Sequence, residues 1–209
     1  MNNLNKIPIH DSSLRHSTGQ AIYIDDMPEQ ENLLHGAPLL SKDACGKIIK
    51  INSDKLQDLP FFTKIITAKD IPGENEIGPI KNGEPILADK FYSYLGQPIA
   101  IVLAKTHQEA IYASSLVEIE TDLTTKPILN LDDAYQQKSF LEDPMVLEKG
   151  NIEKDMSKSD YKLSGDFEMG GQDHFYLETH VAMTFPGENN EYVVWSSTQH
   201  PTEVQHGVG

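Results

Sequence analysis

Gly170-Gly171-Gln172 and the run Asp173-His174-Phe175-Tyr176-Leu177-Glu178-Thr179-His180 hold the chain's densest set of groups able to do chemistry. The paired glycines leave the backbone free for a close approach or a left-handed turn. Gln172 brings a neutral amide, which can donate a hydrogen bond without adding charge. The residues after it alternate as a strand does. On a strand, Gln172, His174, Tyr176, Glu178 and His180 share one face, and Phe175, Leu177, Val181, Met183 and Phe185 mainly occupy the other. Such a polar face beside two glycines suits the lining of a site. An edge strand with no role beyond structure accounts for the same pattern, because a half-buried strand needs only generic polar residues outside. His174, Glu178 and His180 also have a spacing able to supply three metal ligands. Ligands two residues apart on a flat strand need a fourth from elsewhere, so the spacing favours a polar strand face over a zinc-type centre.

Other reactive residue types read as structural. Cys45 has no helix N-terminus or basic neighbour in sequence to activate it, and reads as an inert thiol. Gly96-Gln97-Pro98 lacks the glycine spacing and lysine of a phosphate-cradling loop, and reads as a turn leading into a strand. Gln199, His200 and His206 fit a turn and a helix start better than catalysis.

The elements that must position these groups follow from pattern. Ala21–Ile24 reads as a strand closed by Asp25-Asp26-Met27-Pro28. Lys47–Ile51 is a second strand. Ser53 is placed to cap a short helix running to Leu59, stopped by Pro60. Phe62–Thr67, rich in aromatic and β-branched residues, is a third strand. Ile71–Pro85, with three prolines and three glycines, is a loop. Ile99–Leu103 is an apolar run of strand length and is expected to be buried. Thr106-His107-Gln108-Glu109 is a capping box opening a helix to about Leu116. Ala110, Ile111, Ala113, Ser114 and Val117 form its inward stripe. Val117–Thr121 returns as a strand. A short helix, Leu131–Gln137, is capped by Asn130. Tyr161–Glu168 and Asp173–Phe185 are expected to pair as strands. After the turn Pro186-Gly187-Glu188-Asn189-Asn190 comes the strand Tyr192–Ser196. This order predicts an α+β (mixed α/β) fold.

Composition bounds the function. The 209 residues carry 17 lysines and arginines against 32 acids, a formal charge of −15. Phosphate neutralisation needs basic patches, so a nucleic-acid partner is not expected. An anionic membrane surface is disfavoured for the same reason. The acids are dispersed rather than blocked into a tail, which suits a folded, soluble chain. One cysteine excludes an internal disulfide framework and a thiolate set for zinc or an iron–sulfur cluster. That usage suits a reducing compartment and a cytoplasmic location. Neither a secretory signal nor a membrane-spanning run is expected.

Several blocks, in order, resemble one family. They are His10-Asp11-Ser12, Thr18-Gly19-Gln20-Ala21-Ile22-Tyr23-Ile24-Asp25-Asp26-Met27-Pro28, Ile71-Pro72-Gly73-Glu74-Asn75, Tyr94-Leu95-Gly96-Gln97-Pro98-Ile99-Ala100, Gly170 to His180, and Ser197-Thr198-Gln199-His200. Together they resemble the molybdenum-binding subunit of xanthine dehydrogenases, within the molybdenum hydroxylases that include aldehyde oxidases. Residues 1–13 read as a polar leader and 126–150 as a connecting segment, and the resemblance implies a hammerhead-like α/β domain at 14–125 and the start of an incomplete molybdopterin-binding domain at 151–209. It implies that the chain is the N-terminal part of a longer subunit.

The same resemblance implies hydroxylation of hypoxanthine and xanthine with water as the oxygen source, on a molybdenum–molybdopterin cofactor. Electrons would leave through 2Fe–2S clusters and FAD, in a partner domain or subunit, to NAD. An oligomeric full enzyme is implied. It places Gln172 beside the oxo ligand of the molybdenum, with Gly170 and Gly171 letting the backbone approach the pterin. Asp173 stands where many relatives carry glutamate, which leaves the amide's role untouched. The catalytic base and the substrate-binding residues lie later in the family's sequence, so this stretch alone is expected to be inactive. Glu178 gains no catalytic role from the resemblance. An aldehyde oxidase-type substrate, or a non-catalytic scaffold or interaction module for the isolated stretch, remain alternative readings.

Overall fold

The apolar run Pro98–Ala104 organises the first half of the chain, because every second side chain must leave water and its backbone must find partners on both sides. The computed structural model describes residues 9–78, 83–176, 178–189 and 191–209. The leader's first eight residues, part of the Ile71–Pro85 loop, Leu177 of the expected Asp173–Phe185 strand and Asn190 of the predicted turn lie outside them.

A short helix α1, Ser13–Thr18, opens the described chain. Strands β1 (His35–Leu40), β2 (Gly46–Asn52), β3 (Phe62–Thr67), β4 (Phe91–Tyr92) and β5 (Pro98–Ala104) follow. Helix α2 (His107–Leu116) and strand β6 (Glu118–Asp122) complete this part. Two antiparallel sheets result, in the orders β1-β5-β3 and β4-β2-β6. Leu39, Leu56, Ala100, Val102, Ala113 and Val117 form the main core, between α2 and the first sheet. Ala88, Tyr92 and Ile99 form a second cluster towards the other sheet.

Helix α2 starts as its sequence requires. The Thr106 hydroxyl accepts a hydrogen bond from the Glu109 N–H, and Glu109 turns its carboxylate back to that hydroxyl. Ala110 and Ala113 are fully buried, and Ser114 donates to the Pro38 carbonyl on β1. Ile111 is not part of this stripe. It is 51% exposed, because two alanines already bring the helix against the sheet and turn residue 111 outward.

Two other expectations near the start fail for local reasons. Ala21–Ile24 is not a strand. The Asp26 carboxylate accepts from the Tyr23 N–H and winds Ile24–Asp26 into a 3-10 turn. Ser53 caps no α-helix to Leu59. Asn52 accepts the Asp54 N–H instead, and the chain makes only a 3-10 turn at Asp54–Leu56, which drops Leu56 into the core.

Beyond Asp122 regular structure thins. Helix α3 (Leu131–Gln136) is capped by the Asn130 side chain, and α4 (Ile152–Lys158) by Asn151. Strands β7 (Ala182–Pro186) and β8 (Tyr192–Ser196) form an antiparallel hairpin, with Phe185 and Trp195 ring to edge. Helix α5 (Pro201–Val208) follows, with the His200 ring accepting the Glu203 N–H at its start. Tyr161–Glu168 forms no strand, and its residues are exposed. The hairpin therefore joins β7 to β8, not the 161–168 segment to the 173–185 segment. No helix among the described residues is long and apolar enough to cross a membrane.

Candidate functional site

The segment from Gly170 to Tyr176 runs over the surface without regular structure. Asp173 explains why. Its carboxylate accepts the Phe175 N–H at 2.8 Å, a side-chain turn that competes with extension. Phe175 has φ +48°, a left-handed conformation no continuous strand contains. Residues four apart on a strand stand about 13 Å apart. Here the Tyr176 and His180 rings meet edge-on at 5.1 Å, and the Tyr176 hydroxyl is hydrogen-bonded to His180 Nε2. The expected shared face of Gln172, His174, Tyr176, Glu178 and His180 is thus replaced by a folded-back turn, and the strand begins only at Ala182.

Order returns through Ser197. Its hydroxyl accepts from the Val181 N–H at 3.0 Å and lies within hydrogen-bond reach of the Thr179 and Val181 carbonyls. This stitches the end of the segment to the far strand of the hairpin. The stretch Thr179–Thr184 also lines a cavity of about 640 Å³ with Ile24, Glu29, His35 and His107. There the His35 ring sits 3.5 Å from the Glu29 carboxylate and edge-on to His107 at 6.4 Å. Sequence reasoning singled out neither histidine, because their approach depends on pairing β1 with β5 rather than on spacing. Gln172, Gly170 and Gly171 do not line this cavity.

Gln172 is exposed, and among the described residues its amide makes no hydrogen bond. A Cβ added at Gly170 or Gly171 would meet nothing within 4 Å, and neither glycine has a left-handed φ. Nothing in the packing of the described residues requires these residue types. The Gln172 amide, and the open backbone at Gly170 and Gly171, are chemically compatible with a neutral hydrogen-bond contact to a bound group. Among the described residues no three His, Cys, Asp or Glu side chains gather to hold a metal ion, and His174, Glu178 and His180 form no such set.

Comparison with known proteins identifies the family. Residues 18–123 match the a/b hammerhead domain of aldehyde oxidase and xanthine dehydrogenase, and residues 134–209 match a molybdopterin cofactor-binding domain. The chain belongs to the aldehyde oxidase and xanthine dehydrogenase family, the molybdenum hydroxylases. It is 38% identical over 199 residues to a xanthine dehydrogenase of Calliphora vicina, covering 94% of this chain and 15% of that protein. It is 37% identical over 201 residues to aldehyde oxidase 2 of Macaca fascicularis, covering 96% of this chain and again 15% of the relative. The chain thus spans about a seventh of the length of these relatives. The fold is shared with quinoline 2-oxidoreductase from Pseudomonas putida 86, at TM-score 0.78, 21% identity, 96% of this chain and 28% of that one. It is shared also with the aldehyde oxidoreductase of Desulfovibrio gigas, at TM-score 0.75, 22% identity, 90% of this chain and 23% of that one.

Proposed function

We propose that this chain is part of the molybdenum-binding subunit of a xanthine dehydrogenase, oxidising hypoxanthine and xanthine towards urate. The observation that carries the reading is the 38% identity to a xanthine dehydrogenase over nearly the whole chain. A xanthine dehydrogenase/oxidase from Gallus gallus and a xanthine dehydrogenase from Dictyostelium discoideum stand at 35% and 36% identity. When bound, the molybdenum–molybdopterin cofactor supplies the redox step, with water as oxygen source. The residues described here orient and polarise rather than react. Gln172 would donate its amide N–H to the cofactor's oxo group without adding charge or competing as a ligand. Gly170 and Gly171 would let the backbone lie against the pterin. No group of this chain is assigned the role of base. In the same reading, iron–sulfur and FAD domains or subunits carry electrons to NAD, and the complete enzyme is an oligomer. A cytoplasmic setting belongs to it too, supported by the lone Cys45.

Gln172→Ala in the natural polypeptide that carries this chain tests the assignment. Xanthine turnover or retained molybdenum should fall at least tenfold. Unchanged turnover with full molybdenum content would remove Gln172 from the site.

The aldehyde oxidase reading is favoured by the 37% identity to aldehyde oxidase 2, which is nearly as high. Comparing kcat/KM for xanthine and for an aromatic aldehyde on the purified natural enzyme decides between them.

A further inference from the structure

Among the described residues strand β7 pairs only with β8, so its other edge is open. The hydrogen bonds at the two ends of the hairpin fix which groups sit on that edge. The Ser197 N–H donates to the Val181 carbonyl, and the Gly187 N–H donates to the Glu191 carbonyl. Both pairs share the register that sets Ala182 against Ser196 and Met183 against Trp195. Bonded and unbonded pairs alternate along an antiparallel ladder. Residues 181, 183, 185 and 187 therefore bond towards β8, and Ala182, Thr184 and Pro186 turn their backbone groups the other way. Among the described residues nothing outside the hairpin accepts the Ala182 or Thr184 N–H.

This edge borders the cavity of about 640 Å³. Successive residues of a strand point to opposite faces. A space lined by Ala182, Met183 and Thr184 in succession therefore lies beside the strand and not over one face of it. The same holds for His35 and Gly36, which also line it and begin β1, the edge strand of the sheet β1-β5-β3. Two strand edges thus border one cavity. An open edge is a template for pairing, and a hairpin of two strands is marginal in water without a third. Met183 and Phe185 are still only half-buried on their face of the hairpin.

The surroundings select the occupant. His35 and His107 of the same chain line the cavity with β7, so the edge is walled rather than free. A symmetric pairing of β7 with β7 of a second copy would present the same walled edge from both sides. A single extended segment fits beside a walled edge, and strand addition of that kind is a recurring mode of recognition. Further chain is there to supply it in the relatives, since these residues cover only 15% of the xanthine dehydrogenase of Calliphora vicina.

We infer that an extended segment of the natural polypeptide, outside these 209 residues, enters this cavity as a strand and pairs with the open edge of β7. Its backbone carbonyls accept the Ala182 and Thr184 N–H groups. Alternate side chains of the segment are apolar and extend the face of Met183 and Phe185. The inference rests on the reading of the chain as part of a longer subunit, and not on the substrate or on Gln172. The length of the natural polypeptide tests that reading separately.

The test is residue-level amide hydrogen exchange on the natural polypeptide, with its crystal structure to identify the partner. Met183 and Phe185, bonded to β8, are the internal reference. Ala182 and Thr184 should exchange within about tenfold of them, because pairing on both edges makes all four amides open together. Faster exchange than that at Ala182 and Thr184 would overturn the inference. Thr184→Pro removes one donor from the open edge and leaves the bonds to β8 in place. It should speed exchange at Ala182 by more than about tenfold, with Met183 and Phe185 little changed; an unchanged Ala182 would count against the pairing. In the crystal structure the Thr184 N–H should meet a backbone carbonyl of the same polypeptide beyond this stretch. Water, a side chain, a second copy or another subunit at that position would refute the assignment. If Thr184→Pro does not fold, exchange and structure of the unsubstituted protein still decide.

Discussion

Leu56→Ala probes whether the 3-10 turn at Asp54–Leu56 helps to hold the main core. Leu56 is 0% exposed and packs in one cluster with Leu39, Ala100, Val102, Ala113 and Val117. Buried Leu→Ala changes cost about 2.7–5.0 kcal/mol, depending on how far the surroundings collapse into the gap. Ala100 and Ala113 cannot swing inward, and the backbones carrying them belong to β5 and α2. The turn bearing residue 56 is short and can sink part of the way. These two facts place the cost near the lower end, at about 3 kcal/mol. The readout is amide hydrogen exchange in the natural polypeptide, which follows local opening and needs no two-state assumption for a large protein. Strand β5 is paired on both sides, by Leu39 and Thr67 at Ala100 and by Ala37 and Ile65 at Val102. Exposing its amides requires breaking this cluster. A loss of about 3 kcal/mol corresponds to exchange roughly 150-fold faster there. Amides of β8, in a separate sheet, should keep their rates. Acceleration below tenfold in β5, or equal acceleration in β8, would show that Leu56 is not part of the unit that protects this sheet.

Thr106→Ala should cost about 1 kcal/mol, by removing the hydroxyl that accepts the Glu109 N–H; faster exchange confined to the first turn of α2 is the expected signature, and no change there would show the cap to be idle. Asp70 is expected to titrate at about 2, below the usual 3.8, because Lys64 and then the Thr67 N–H and hydroxyl favour the charged carboxylate. A depressed folded value means that its stabilisation is fully present above the ordinary carboxylate range and is lost as pH falls through about 2. In Lys64→Met the carboxyl carbon of Asp70 should titrate at a higher pH; a midpoint still near 2 would assign the shift to Thr67 alone.

Elements held by contacts within a few residues were legible. Phe62–Thr67 and Tyr192–Ser196 show the same bounds in structure as in pattern, because each carries a dense β-branched and aromatic run. The Thr106 and Asn130 caps are short-range chemistry and occur as expected. Strand β1 was not legible, since Gly36 and Pro38 interrupt its propensity. It survives as an edge strand, where Pro38 faces Ile101 and the lost donor is tolerated. The segment after Gln172 misled for the opposite reason. Its alternation suits a strand, but one aspartate side chain captured the Phe175 N–H and turned the backbone. At the candidate site, residue types were readable and their partners were not, because no described residue hydrogen-bonds to Gln172.

No strand in either three-stranded sheet pairs with its immediate neighbour in sequence. Leu39 waits for Ala100 and Lys47 for Asp122, some sixty to seventy-five residues downstream. At about 5–20 residues per second of synthesis, the early segments emerge seconds before any partner exists. Nascent chains of this protein are therefore exposed to misassembly until β5 and β6 leave the ribosome, and chaperone dependence should concentrate in that interval.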